Sequence, residues 1–538
     1  MRSCPDFSNF APEKAKSLGN MANPLKQLAG ETAIYGLSTI LARIINFLFV
    51  PFYTRMLTTA SYGVVTEFMA YIAVLQVVLT LGLETGCFRF ANRAGARTGA
   101  VYSGALAAVT VVNGVFLALM ICFAGPIASW LGYQGYENCI MYVGGILFLD
   151  CVTAVFFARY RQEHKALRFA VFKTVKILTE TASNLLLFFW FSSYCVRRAA
   201  ESGVDVQALS PSDIWLLHFV SPVPDFSYVI FAILVSSLVC ALLFIPDIFR
   251  VKPEFDRPLL RKMLLYSLPL MVAALPGIVN DFLDRILFRY FDTGTETWQS
   301  SLGIFQAGVK LSVIMSLFIQ MFRFAAEPFF FQRMADKDSK RLYADVMEYF
   351  TAFCGLVFLG VLLYIDVISL ILGKDFREGV SIVPLMLLSY MLLGMQFNVS
   401  MWYKLSGKTS VAIWITLSGL AVTAAVNILF MPKFSYHAAA WGHLASYVVM
   451  LVINVLLGKK YYPIPYRWGR IALVFAAMGG VYALSAVSEH LFFVNADFGA
   501  HGLEMAGRLG INTVLIAVYV CLMWTMFRRS IRNTSSRS

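Results

Sequence analysis

The sequence predicts an all-α polytopic membrane protein of about fourteen transmembrane helices, and three observations predict it. Hydrophobic residues make up 59% of the chain and charged residues only 14%, against about 45–50% and about 25% in a soluble domain. Apolar runs long enough to cross a bilayer, 18 residues or more, recur along the whole length. Lys and Arg then collect in short loops on alternate sides of those runs, which is the topology signal of a membrane protein.

Read by length and hydropathy, the spans fall near 30–52, 62–85, 100–124, 139–159, 168–190, 227–249, 263–290, 302–325, 345–371, 379–402, 409–431, 436–457, 470–488 and 508–527. Residues 1–28 are polar and lack an apolar signal-peptide core. They read as a cytoplasmic N-terminal extension, with the first span as an uncleaved signal anchor. One set of loops holds 30 Lys and Arg and the other holds 7. That bias places both termini in the cytoplasm and supports an even number of spans. The longest loop, about 191–226, is expected outside; nothing else is large enough to form a soluble domain.

A weak internal repeat sets Tyr35-Gly36 and Arg55 of the first span against Tyr266-Ser267 and Arg285 of the seventh. The expected organisation is an N-terminal lobe over 29–250, a C-terminal lobe over 251–458, and an additional helix pair with a cytoplasmic tail over 459–538. Transporters built from such repeats carry their site between the halves.

Charges inside spans are the strongest functional signal, because each costs at least about 2.5–3.5 kcal/mol to insert. Seven cations lie within spans: Arg43, Lys173, Lys176, Arg285, Arg289, Lys310 and Arg323. Acids in or at the ends of spans include Glu31, Glu67, Glu84, Asp150, Glu180, Asp281, Asp284, Glu327 and Asp366. Arg43 stands about 20 Å along its helix at 1.5 Å per residue, near the middle of a core about 30 Å thick. It faces a cavity or serves a structural ion pair.

Asp150 reads as a packing residue, as a partner for Arg43, or as a proton or cation site. Lys176 and Glu180 are four apart and are expected to pair, while Lys173 snorkels. Asp281 and Arg285 are also four apart with the acid first. They sit beyond Pro269 and Pro276, which can bend the helix, so a moving gate is expected there, against a salt bridge at the external helix end. Lys310, about 12 Å into its span, can face the same cavity. Arg323 and Glu327 are expected at the interface. Glu31, Glu84 and Arg89 mark the cytoplasmic mouth.

Other chemistries find little support. The net charge of +13 is dispersed over loops rather than gathered into an aromatic-laced patch, which speaks against nucleic acid. Nine cysteines form no CxxC, and six histidines show no ligand spacing, so no metal site or disulfide framework is expected. Gly407-Lys408-Thr409 ends like a P-loop, but Trp402 occupies the position of the required glycine.

Glu31-Thr32-Ala33-Ile34-Tyr35-Gly36, Arg43, Pro51-Phe52-Tyr53-Thr54-Arg55, Tyr62-Gly63, Leu81-Gly82-Leu83-Glu84-Thr85-Gly86 and Arg89-Phe90 together resemble the start of the bacterial polysaccharide-biosynthesis membrane proteins. These are the Wzx-type flippases of the multidrug/oligosaccharidyl-lipid/polysaccharide exporter superfamily. The match covers residues 25–93. The resemblance implies two six-helix lobes around a central cavity and alternating access. It also implies transfer of an oligosaccharide on undecaprenyl diphosphate from the cytoplasmic to the outer leaflet, for surface polysaccharide such as O-antigen, lipopolysaccharide or capsule.

On that reading Arg43, Lys176, Arg285 and Lys310 are available for the diphosphate. Asp150, Glu180, Asp281 and Asp284 serve a coupling H⁺ or Na⁺ or the gate. No cofactor and no enzymatic activity are expected, and partners would be membrane lipids, a glycan polymerase and export machinery. Two alternatives stay open. One is a cation-coupled drug or metabolite exporter of the same superfamily. The other is a glycan polymerase or ligase, whose chemistry would have to use Glu201, Asp205, Asp213 and His218 of the long loop.

Overall fold

The structure, a computed structural model, describes residues 36, 39–92, 97–250, 254–294, 297–334, 338–492 and 501–535. Every regular element among them is helical. The first span is described from its middle onward and ends in α1 (Val50–Met56), which has Pro51 in its first turn. There follow α2 (Thr59–Leu79), α3 (Leu83–Ala91), α4 (Thr98–Cys122), α5 (Glu137–Gln162), α6 (Ala166–Leu185) and α7 (Phe226–Leu243). Then come α8 (Arg257–Phe291), α9 (Trp298–Leu311), α10 (Val313–Gln332), α11 (Ser339–Leu362), α12 (Val383–Leu405), α13 (Val411–Tyr461), α14 (Trp468–Phe492) and α15 (His501–Ser535).

Among the described residues, ten helices are long and apolar enough to cross a membrane, or eleven if the bent pair α9 and α10 is one span. That pair turns by 49° at Ser312, whose hydroxyl bonds the Gly308 carbonyl at 3.4 Å. The 51-residue α13 would be about 75 Å long if straight, more than twice the hydrocarbon thickness. It breaks at Ser435, with φ 45° and ψ −128° beside Pro432. The two arms then fold onto each other. A Cβ on Gly442 would lie 2.9 Å from the Asn427 amide, and one on Gly419 would lie 2.9 Å from the Ser446 hydroxyl. These arms are the eleventh and twelfth expected spans.

The fifth expected span is α6. It carries Arg168, Lys173, Lys176 and Glu180 and runs through a π-helical turn, Leu186–Phe191, into Ser192–Ser202. Two expectations change. The ninth span ends at Leu362 rather than 371, and Asp366 belongs to a separate short helix, Ile365–Ser369. The start of the long loop, residues 192–202, continues the fifth span as helix.

Glycines set the closest crossings. Gly63 of α2 and Gly303 of α9 meet where a Cβ on either would stand 3.1 Å from the other's amide nitrogen. Nearby, Thr59 and Ser300 hydroxyls are 2.7 Å apart. Arg55 donates to the Leu370 carbonyl at 2.8 Å, and the Gly373 amide donates to Thr54 Oγ1 at 3.0 Å. These contacts join the two halves of the chain at the end that the charge bias assigns to the outside. At the opposite end, α8 leans on α3: Arg89 stacks over Tyr266 at 4.0 Å, and Gly82 packs against Ser267 and Met271.

The C-terminal pair docks on α11. Arg467 and Arg470, before and within α14, bind the buried Glu348 of α11. The Tyr519 hydroxyl of α15 bonds the Ala352 carbonyl at 2.9 Å.

Candidate functional site: a cationic cleft between the halves

Arg43 of the first span and Arg285 and Lys310 of the consecutive helices α8 and α9 are brought together by the fold. Lys310 lies within electrostatic range of both Arg285 and Arg43. It closes α9 next to the bend at Ser312. Arg43 lies within range of Tyr390, Arg323 and Asp281. Arg43 and Asp281 keep open surface although protein surrounds them, as groups lining a water-accessible cleft do. None of the three cations has an ion-pair partner among the described residues. Arg285 rests over its own helix's Phe282 ring at 4.6 Å, and its buried Nε–H is without an acceptor.

Three pairings that the sequence allowed are not the ones formed. Lys176 does not take Glu180; it donates to Asp150 of α5 at 2.5 Å. The long lysine stem reaches a carboxylate on the neighbouring helix, so Asp150 is not the partner of Arg43 either. Glu180 stays near Lys176 and Lys310, on the same side as Tyr53. Asp281 accepts the Tyr447 hydroxyl at 3.0 Å instead of pairing with Arg285, because α13 offers a donor across the helix contact. Arg323, expected at the interface, sits over Phe397 at 4.6 Å within range of Arg43. Glu327 pairs with Lys404 at 2.7 Å.

A second polar group lies between α8 and α13. Asn280 Oδ1 accepts from Thr423 at 2.7 Å and from Ser446 at 3.2 Å. Asp284, fully buried, meets His443 Nε2 at 3.3 Å and leaves its other oxygen without a partner. No group of three metal-ligating side chains occurs among the described residues. Sequence reasoning missed His443 and Tyr447. Their four-residue spacing opposite two intramembrane acids was the available signal.

It also left Glu67 and Arg289 without a role. The Arg289 guanidinium grips the fully buried Glu67 carboxylate with two hydrogen bonds, of 2.6 and 2.7 Å. The signal was an acid and a cation at similar depths of two spans.

At the expected mouth, Glu84 takes Arg161 at 2.8 Å; Glu31 lies outside the described residues. In the long loop each acid has local work. Asp205 caps the Gln207 amide at 3.0 Å and Glu201 pairs with Arg198 at 3.2 Å. Hydrogen bonds from the Ser210 hydroxyl and amide hold Asp213 below the usual carboxylate range. His218 Nδ1 lies 3.0 Å from the Trp215 carbonyl.

Two helical halves meet around this charged cleft, and comparison with known proteins finds structures of similar fold. Residues 28–203 match the family model described as "Polysaccharide biosynthesis protein". The chain is similar over 92% of its length to 99% of a structure of the lipid II flippase MurJ in an inward closed conformation, with TM-score 0.67 and 12% identity. It is similar over 83% of its length to 96% of an inward-facing multidrug resistance MATE family transporter of the MOP superfamily, with TM-score 0.55 and 14% identity. At these identities the structures establish the fold alone. No curated protein matches the chain.

Proposed function

We propose that the protein is a flippase that moves an oligosaccharide on a lipid diphosphate from the cytoplasmic to the outer leaflet by alternating access, for surface polysaccharide synthesis. One observation carries the reading. Three intramembrane cations, Arg43, Arg285 and Lys310, share a cleft and have no ion-pair partner among the described residues. Cations kept at such a cost call for an anionic ligand, and a diphosphate is the compact, highly charged group a lipid-linked sugar presents. The described match to a polysaccharide biosynthesis family supports the same substrate class.

The two halves rock about the cleft, in a multi-pass inner-membrane protein with both termini cytoplasmic. Glu84 and Arg89, with Glu31, then flank the entry side. Asp281 and Asp284, beside His443, bind the coupling H⁺ or Na⁺, and the Asp150–Lys176 pair with Glu180 responds to the cleft's charge. A glycan polymerase and export machinery follow in the same process.

The test replaces Arg43 in cells that make a surface polysaccharide. Arg43→Ala at normal protein level abolishes polymer, and Arg43→Lys retains part of it. Full polymer from Arg43→Ala refutes the reading. The buried acids of α8 favour a second reading, a cation-coupled exporter; drug resistance on overexpression without a glycan phenotype would select it.

A further inference from the structure

Arg289 stands one helical turn from Arg285, four residues along α8, a rise of about 6 Å. The two arginines have opposite circumstances. Arg285 is without an ion-pair partner in the cleft, while Arg289 is capped. Its Nε and Nη2 bond the two Glu67 oxygens at 2.6 and 2.7 Å, and Nη1 bonds the Leu131 carbonyl at 2.7 Å. Its guanidinium also lies 4.4 Å from the Trp298 ring.

Glu67 belongs to α2 of the first half and is held there independently of Arg289. The Tyr71 hydroxyl donates to it at 2.9 Å and the Tyr133 hydroxyl donates to its other oxygen. α8 is tied to the second half by Asn280, Asp281 and Asp284 with α13, and by Phe288 against Phe305 of α9. When the halves separate at this end, Glu67 keeps both tyrosines, and Arg289 keeps Trp298 but loses its anion. A bidentate arginine fork accepts carboxylate and phosphate alike.

We propose that Arg289 is a second anion station for a diphosphate headgroup, occupied in the closed form by Glu67 as an internal substitute. Opening of the expected outer end uncovers it, and the headgroup passes one turn along α8 from Arg285 to Arg289. The inference rests on the lipid-diphosphate reading and adds to it a release site and the reason the closed form holds.

The experiment uses the purified full chain in detergent with geranyl diphosphate as probe. Wild type binds through Arg285, and Arg285→Ala weakens that binding; this arm tests the lipid-diphosphate reading. Glu67→Gln removes the substitute anion and tightens probe binding by about fivefold or more. Adding Arg289→Ala to Glu67→Gln removes the gain. A disulfide lock controls for folding within one protein. Thr59→Cys with Ser300→Cys, built on hydroxyls 2.7 Å apart, suppresses the Glu67→Gln gain when oxidised and restores it on reduction. Wild-type binding with no gain in Glu67→Gln overturns the inference alone, as does a gain that survives Arg289→Ala or the oxidised lock. No binding by any variant overturns the inference and the lipid-diphosphate reading together.

Discussion

Gly303→Ala offers a way to push on one state of the protein only. A Cβ at this position would run into the Thr59 carbonyl oxygen, with the carbonyl carbon at 2.9 Å and the Gly63 amide nitrogen at 3.1 Å. Non-bonded heavy atoms settle at about 3.5 Å, so α2 and α9 must part by roughly 1 Å or more at the crossing. All three close atoms are backbone and cannot rotate away. Overpacking of this kind costs about 1–3 kcal/mol. The penalty exists only while the two helices are in contact, so it shifts the balance toward the form open at this end by about 5- to 150-fold.

The assay places one reporter, Tyr62→Cys, in a background with the nine native cysteines replaced. Tyr62 is 4% exposed and lies near Arg285. A membrane-impermeant maleimide applied to whole cells then reports opening. Gly303→Ala raises the labelling rate at least about fivefold. Gly479→Ala, with no atom within 4 Å of the new Cβ, leaves it unchanged. Equal rates for Gly303→Ala and its parent, at equal protein level, would refute the argument that this crossing seals the end of the cleft.

Two further outcomes follow from single residues. Lys176→Ala strands the Asp150 carboxylate, whose side chain is 14% exposed against 24% for the lysine. The loss is about 1–3 kcal/mol after allowing for that residual exposure, read as a lower Tm in detergent, and the exchange Asp150→Lys with Lys176→Asp recovers most of it. Ser435→Gly relieves a non-glycine residue at φ 45° and raises stability by about 1 kcal/mol; an unchanged or lower Tm would contradict the break assigned to α13.

Much of the fold was legible because the bilayer makes its demands visible in one dimension. Pro432 and Lys433 marked the end of a span even where the helix resumes after Ser435, so two spans were expected within what is nearly continuous helix. The π-helical turn at Leu186–Phe191 left no such mark: LLFFWF reads equally well as ordinary helix, and a one-residue surplus in hydrogen bonding depends on what packs around it. Arg43, Arg285 and Lys310 were legible for the same reason as the spans, since a cation among apolar residues stands out whatever the tertiary structure.

Partner choice was not legible. Glu67 and Arg289 are 222 residues apart, and Asp150 and Lys176 are 26 apart; in both cases a helix neighbour decides. The spacing rule for i,i+4 pairs describes isolated helices, where few competitors exist. Inside a bundle, Tyr447 reaches Asp281 and Asp150 reaches Lys176, and each outcompetes the residue four positions away. The insertion cost of a charge therefore sorts in two ways. Asp150, Lys176, Glu67 and Arg289 offset it by pairing across helices, which holds the bundle in one arrangement. Arg43, Arg285 and Lys310 have no ion-pair partner among the described residues and face the cleft, which is where the proposed anionic ligand would gain most from binding. Sequence alone identifies the charges that must be accounted for; the fold decides which of them pair and which stay open to the cleft.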